Sequence, residues 1–224
     1  MDQTGPHRRY FEAHADRYDE YTGNGAWTPN LYLAGMLQAL VADGVEVRTA
    51  LDLGSGTGQT LAVVRTAFPQ AQLWANDLSP AMLERAARKV PSAHFEVADI
   101  SSCVATLTKS FDLVTAVGCL ELVSDLEAVL PKLMQHVNPG GHLALTFEPV
   151  LDEMGAEHAA STGSPAADID DERRWRYTWS TARVLRALPG GQLRSSHLFT
   201  AYERAGTSVL YELLLVRKGC TTEG

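Results

Sequence analysis

The chain has 224 residues, with 19 Lys and Arg against 27 Asp and Glu, a formal net charge of −8. Hydrophobic residues make up 45% and charged residues 21%, which excludes wholesale disorder and fits one generous domain. The acidic balance argues against a nucleic-acid binder, which needs a basic face, and three widely spaced cysteines argue against a disulfide framework or a zinc site.

The polar N-terminus lacks the apolar stretch of a secretory signal, and no apolar run approaches the roughly 20 residues of a membrane helix. A cytoplasmic, reduced protein is expected. Residues 1–43 carry helical periodicity without strands. Tyr10, His14, Tyr18 and Tyr21 are spaced for one side of a helix, and Leu33, Met36, Leu37 and Leu40 for one side of the next. Residues 50–53 are a short strand that runs into Gly54-Ser55-Gly56-Thr57-Gly58, and Leu61, Val64 and Phe68 mark the helix after it. A second strand is expected at 71–76. Ser79 is a good N-cap and Pro80 suits the first helical position, with Met82, Leu83, Ala86 and Ala87 giving that helix its apolar face. Strands follow at 94–98 and 111–117, a helix at 126–137 that Pro139-Gly140-Gly141 stops, and a strand at 142–147. Residues 150–174 are polar and small, read as a lid or insertion. Two strands, 192–202 and 207–216, flank a four-residue turn and should pair as a hairpin. The alternation of strands and helices means a doubly wound α/β sheet, parallel in its main part and closed by an antiparallel pair.

A glycine-rich turn between a first strand and a helix lets a ligand approach the backbone and face helix N–H groups. The glycines here are spaced G-x-G-x-G, and Gln59 stands where a dinucleotide fingerprint would carry its third glycine. No Gly-Lys-Ser or Gly-Lys-Thr follows, so a phosphate P-loop is excluded. Asp52, Asp77 and Asp99 each fall at the end of a strand, where such sheets place their ligands. A ring of carboxylates suits a ribose, an amine and a sulfonium cation better than a string of phosphates.

The ordered set Asp52-Leu53-Gly54-Ser55-Gly56-Thr57-Gly58, Asn76-Asp77-Leu78-Ser79-Pro80, Val97-Ala98-Asp99-Ile100, Phe111-Asp112-Leu113-Val114 and Pro139-Gly140-Gly141 resembles the class I S-adenosylmethionine-dependent methyltransferases, most closely their small-molecule members. The resemblance covers residues 45–150 in detail. It implies a seven-stranded Rossmann-like sheet of order 3-2-1-4-5-7-6 with the last strand antiparallel. Residues 1–43 would form a helical cap, and 44–224 the cofactor domain with a lid insertion at 150–175. It further implies that Gly54, Ser55, Gly56 and Gly58 pass beneath the methionine part of S-adenosylmethionine. Asp52 would meet its amino group directly or through water, and Asp77 the ribose hydroxyls. Leu78 and Met82 would pack on the adenine, Asp99 and Ile100 would meet its edge, and Val117 and Gly118 would line the methyl end. Tyr18 and Tyr21 would reach the carboxylate from the cap. An aromatic stripe on a helix serves a core as readily as a site, and Asp99 also suits a helix cap.

The reaction implied is methyl transfer to O, N or C of a small organic acceptor. The alternatives are another reaction on the same cofactor, such as cyclisation or decarboxylation, or a non-catalytic cofactor-binding module. In-line displacement demands alignment and exclusion of water more than a strong base. Glu121, His158 and His14 are the candidate bases. Cys119 has no partner base in the sequence and is read as packing. Tyr10, Trp27, Glu148, Tyr177, Trp179 and Tyr202 are the candidate walls of the acceptor pocket, Trp175, Tyr177 and Trp179 falling on one side of an extended segment. The expected partner is a small molecule and not nucleic acid or membrane, with the chain a monomer or homodimer.

Overall fold

A computed structural model describes residues 4–23, 27–150, 176–204 and 207–220. The N-terminal helices are α1 (Thr4–His14), a 3-10 turn at Ala15–Arg17, α2 (Tyr18–Tyr21) and α3 (Thr28–Ala42). The alternating part follows as β1 (Thr49–Leu53), α4 (Gln59–Ala67), β2 (Gln72–Asp77), α5 (Pro80–Lys89), β3 (His94–Val97), α6 (Ile100–Thr106), β4 (Phe111–Ala116), a 3-10 turn at Leu120–Leu122, α7 (Leu126–Gln135) and β5 (Val137–Pro149). Then come β6 (Thr178–Trp179), α8 (Thr181–Arg186) and the hairpin strands β7 (Gly191–Arg204) and β8 (Thr207–Lys218).

The sheet runs β3-β2-β1-β4-β5-β8-β7, with the two-residue β6 paired to β5 alone. Setting that short strand aside, this is the order expected from the sequence. The first five strands are parallel, and β8 is antiparallel to both β5 and β7. Chain order reverses between β1 and β4, and an open α/β sheet has its crevice at the carboxyl ends of the strands at such a point.

Local chemistry explains the helix starts. Ser79 Oγ accepts from Met82 N–H, Asp99 from Ser102 N–H and Asp125 from Ala128 N–H, so α5, α6 and α7 each satisfy an otherwise orphaned donor. Two apolar layers cover the sheet. Leu33, Leu37, Leu61 and Val64 from α3 and α4 fill one face, while Cys103, Leu130, Leu133 and Val184 from α6, α7 and α8 fill the other. Strands buried on both faces carry continuous apolar runs, and Leu213, Leu214 and Leu215 of β8 are all buried. Among the described residues no helix is long and apolar enough to cross a membrane.

Two expectations change. Pro139-Gly140-Gly141 lies inside β5: Val137 pairs with Phe111 and His142 with Leu113, and the offset absorbs the extra residues as a bulge, where a proline without an N–H is tolerated. The aromatic stripe of residues 10–21 spans a break, since α1 ends at His14. Most of the expected insertion, 151–175, with His158 and Trp175, lies outside the described residues.

Gly58 supports the strand-to-helix turn. Its φ is 82° and a Cβ there would lie 2.8 Å from the Ala86 Cα, so it lets α4 start against α5. A Gly58→Ala substitution combines left-handed strain with overpacking and is expected to cost about 2–4 kcal/mol. Thermal unfolding monitored by circular dichroism should show a midpoint lower by roughly 5–10 °C; an unchanged midpoint would refute this packing role.

Candidate functional site

The crevice between β1 and β4 opens into a cavity of about 480 Å³. Asp77, at the end of β2, organises its floor. Its Oδ2 accepts from Gly56 N–H at 2.8 Å and its Oδ1 from Ser79 N–H at 2.8 Å, so one carboxylate ties the glycine turn to the start of α5. Burial pushes its pKa up, and these backbone donors oppose the rise. Asn76 completes the tie, accepting from Gly54 N–H and donating to the Ala98 carbonyl.

Asp52 sits beneath the same turn at 1% exposure. Thr115 Oγ1 donates to its Oδ1 at 2.7 Å, while Oδ2 has no partner among the described residues. Burial raises its pKa to about 7, against the Thr115 hydrogen bond and with help from the charge of Asp77. Asp99 faces the cavity while capping α6, so the two readings of it hold together. Leu78, Met82 and Ile100 supply apolar wall. Neither Lys nor Arg is among the described residues that line this space.

A second cavity, of about 540 Å³, adjoins the first, and Phe11, Tyr18, Gly118 and Leu122 line both. Gly118 has φ 71°, and a Cβ there would lie 2.1 Å from the Trp27 ring, so this glycine lets the indole close over the junction. Tyr10, His14, Tyr21, Trp27, Glu121 and Tyr202 line the second cavity. The Tyr10 and His14 rings stack at 4.3 Å, and His14 Nδ1 donates to the Tyr10 carbonyl at 2.8 Å, which leaves Nε2 as the acceptor of the neutral ring.

Glu121 is fully buried in the wall. Its Oε1 accepts from Arg176 Nη2 at 3.2 Å and from the Tyr211 hydroxyl, and its Oε2 has no partner among the described residues. Arg176 also pairs through Nη1 with Glu148 and donates from Nη2 to the Tyr211 hydroxyl at 3.1 Å. Burial pushes the Glu121 carboxyl up, with Arg176 pulling the other way. Burial works against the charge of Arg176, but Tyr211, Glu121 and Glu148 outweigh it and hold its pKa well above the usual value.

Asp19 pins the N-terminal helices over both cavities. It pairs with Lys89 at 2.6 Å and accepts from Thr57 and Gln59. Burial would raise its pKa, but these three partners outweigh that and hold it below the ordinary range.

The structure moves several predicted residues. Gly58 serves helix packing, Val117 lies in the core, and Ser55 is buried beside β2, its N–H donating to the Asn76 carbonyl. Gly54 packs on Cys119, whose Sγ donates to the Leu53 carbonyl and whose pKa burial raises well above the usual thiol value; Cys119 is packing. Tyr177 and Trp179 belong to the core on the α7 side, because alternation along 176–179 turns Arg176 to the cavity and its neighbours away. Glu148 reaches the site through Arg176. Sequence reasoning missed Arg176, Tyr211, His7 and Phe11. The legible signal was that Glu121 and Glu148, each in an apolar stretch of sequence, needed a buried cation.

Residues 51–143 match the family model for a methyltransferase domain. Among curated proteins, trans-aconitate 2-methyltransferase of Methylobacterium radiotolerans is 36% identical over 129 residues, 55% of this chain and 48% of the relative. The enzyme of the same name from Deinococcus radiodurans is 38% identical over 110 residues, 49% of this chain and 41% of the relative. The matched region thus spans about half the length of these relatives. Among solved structures, magnesium protoporphyrin IX methyltransferase from Synechocystis with bound S-adenosylmethionine superposes with a TM-score of 0.69 at 18% identity, covering 98% of each chain. The N-methyltransferase NodS from Bradyrhizobium japonicum, in complex with S-adenosylhomocysteine, gives 0.68 at 16% identity over 97% of this chain and 99% of that one. At these identities the likeness is one of fold.

Removing the cation from the buried cluster is the sharpest test of the second cavity wall. Arg176→Met leaves Glu121 and Glu148 without their partner and is expected to cost about 3–5 kcal/mol in urea unfolding. Adding Glu121→Gln to that variant should recover part of the loss. Equal stability of the single variant and the parent would show that Arg176 is not the partner.

Proposed function

We propose that the chain, whose residues 51–143 match a methyltransferase domain, is a class I S-adenosylmethionine-dependent methyltransferase that methylates a small organic acceptor held in the second cavity. The observation that carries this reading is the junction of two cavities at Gly118 and Leu122, one ringed by carboxylates and the other walled by aromatics.

The first cavity fits S-adenosylmethionine by its chemistry. It pairs apolar wall with Asp77 and Asp99, and beneath it a buried carboxylate oxygen of Asp52 lacks a donor. Asp77 would hold the ribose hydroxyls, and Asp99 the adenine amino group, with Leu78, Met82 and Ile100 against the ring. Asp52, which stands behind the glycine turn rather than on the cavity surface, would act on the amino group through the turn or a water. Tyr18 stands at the junction, whereas Tyr21 lines only the second cavity. The bound cofactor supplies an electrophilic methyl group on a sulfonium.

The chain's own residues then have three tasks. Phe11, Tyr18 and Trp27 exclude water from the junction. Gly118 and Leu122 set how closely an acceptor approaches. Glu121 is placed to hold a proton from the acceptor, and His14 is the second group in that cavity able to do so. The names of the curated relatives support methyl transfer over other reactions of a sulfonium.

Calorimetry with S-adenosylhomocysteine, followed by transfer of labelled methyl from S-adenosylmethionine to a panel of acceptors, tests the proposal. Absence of cofactor binding would sink it. Asp77→Ala is expected to weaken S-adenosylhomocysteine binding by about 10–100-fold, the loss of one or two hydrogen bonds to a charged group. Unchanged affinity would remove Asp77 from the site.

Asp52 adds a pH dependence. With a pKa of about 7 it is largely protonated in mildly acidic solution, and a cationic amino group nearby favours its ionised form. Cofactor affinity should therefore rise as pH approaches 7 from below and level off above it, with proton release on binding. Calorimetry in buffers of different ionisation enthalpy reads that proton, and Asp52→Asn should abolish its release.

A further inference from the structure

The second cavity carries more information than its size. Among the described residues, three carboxylates, Glu121, Glu148 and Glu203, stand in or behind its walls, and Arg176 is the Lys or Arg that lines it. Arg176 already serves two acids. Nη1 is committed to Glu148, and Nη2 to Glu121 and the Tyr211 hydroxyl. Its guanidinium also lies over the rings of Tyr202, at 5.3 Å, and Tyr211, at 6.0 Å. Drawing it toward a substrate carboxylate would strip two buried carboxylates of their partner, a loss of several kcal/mol in comparable pairs.

Glu121 is the opposite case. Both of its donors converge on Oε1, and Oε2 is buried with no partner among the described residues. A buried carboxylate oxygen demands a donor. Phe11, Tyr18 and Trp27 line the same space, and aromatic faces attract a cation that has shed water.

Building on the proposed activity, we infer that the acceptor is an amine on a flat apolar body, its nitrogen recognised by Glu121 Oε2 and by the faces of Trp27 and Tyr18. An amine arrives largely as its ammonium. One N–H bond breaks, its proton passes to Glu121 Oε2, and the electron pair stays on nitrogen, which thereby becomes the nucleophile. Arg176 and Tyr211 hold Oε1 and are positioning residues. A carboxylate acceptor would instead bring negative charge against Glu121, where Arg176, the one Lys or Arg among the described residues lining the cavity, already serves two acids.

The test is calorimetry on the full chain saturated with S-adenosylhomocysteine. The probes are phenethylamine, its near-isosteres 3-phenylpropanoate and 2-phenylethanol, and trans-aconitate. Phenethylamine should bind at least about tenfold more tightly than each of the others, a gap of about 1.4 kcal/mol. Glu121→Gln should erase that preference while leaving binding of 2-phenylethanol and of S-adenosylhomocysteine unchanged. Trp27→Leu, which leaves the buried ion pair intact, should weaken phenethylamine about 3–10-fold; it keeps the test decisive if Glu121→Gln does not fold. Binding of 3-phenylpropanoate or trans-aconitate as tight as the amine, equal binding of amine and alcohol, or no binding of any probe by a chain that retains S-adenosylhomocysteine would each overturn the inference and leave the proposed activity standing. Failure to bind S-adenosylhomocysteine would overturn that activity itself.

Discussion

Two carboxylates at the ends of adjacent parallel strands, Asp52 and Asp77, occupy a place where burial makes charge costly. The fold meets that cost unequally. Asp77 takes backbone N–H groups on both oxygens, and in doing so it fixes the path of the turn after β1 and the start of α5. Asp52 has one hydroxyl donor and one oxygen left without a partner among the described residues. A polar group left short in this way is a defect in a core but a reserve at a binding site, since a ligand can complete it. The path of the glycine turn and the start of α5 are tied to Asp77, which lines the first cavity, while Asp52 stands behind that turn.

The N-terminal helices depend on the same turn. α2 is only four residues long, too short to hold itself by helix propensity. Asp19 attaches it instead, through Thr57 in the turn, Gln59 at the start of α4 and Lys89 at the end of α5. The elements that form the first cavity therefore also hold the roof of the second. Gln59, whose presence speaks against a dinucleotide fingerprint, has a physical task of its own in this attachment.

The alternation of strands and helices and the motifs at the strand ends were legible because each has a local cause, whereas the order of the strands follows from the family resemblance. Strand-end carboxylates, a glycine run and a Ser-Pro helix start can be recognised within a few residues of sequence. The limits of β5 were not legible, since a bulge at Pro139-Gly140-Gly141 depends on what β4 offers across the ladder. The acceptor side was less legible still. Tyr211 sits in a continuous apolar strand, and Arg176 stands between two aromatics that attract attention first. Tyr177 and Trp179 follow the alternation expected of an extended segment, but the phase that fills the core is theirs. Alternation identifies which residues share a face; it does not say which face meets the cavity.

The placement of charge separates the two halves of the site. In the first cavity Asp77 and Asp99 stand without any lining Lys or Arg among the described residues, and backbone N–H groups supply their hydrogen bonds. In the second the cation is built in, and it is used to hold acids in place. A buried ion pair is weak evidence for stability, because well-packed apolar residues of similar volume often do as well. Its retention here has a more specific consequence. Arg176 gathers Glu121, from the 3-10 turn after β4, and Glu148, near the end of β5, around one guanidinium, and a single oxygen of Glu121 takes both donors. Replacing the cluster with apolar side chains would keep the wall and lose Glu121 Oε2, an acceptor without a donor among the described residues. The geometry of the pair is thus better explained by what it leaves uncovered than by the interaction energy it contributes.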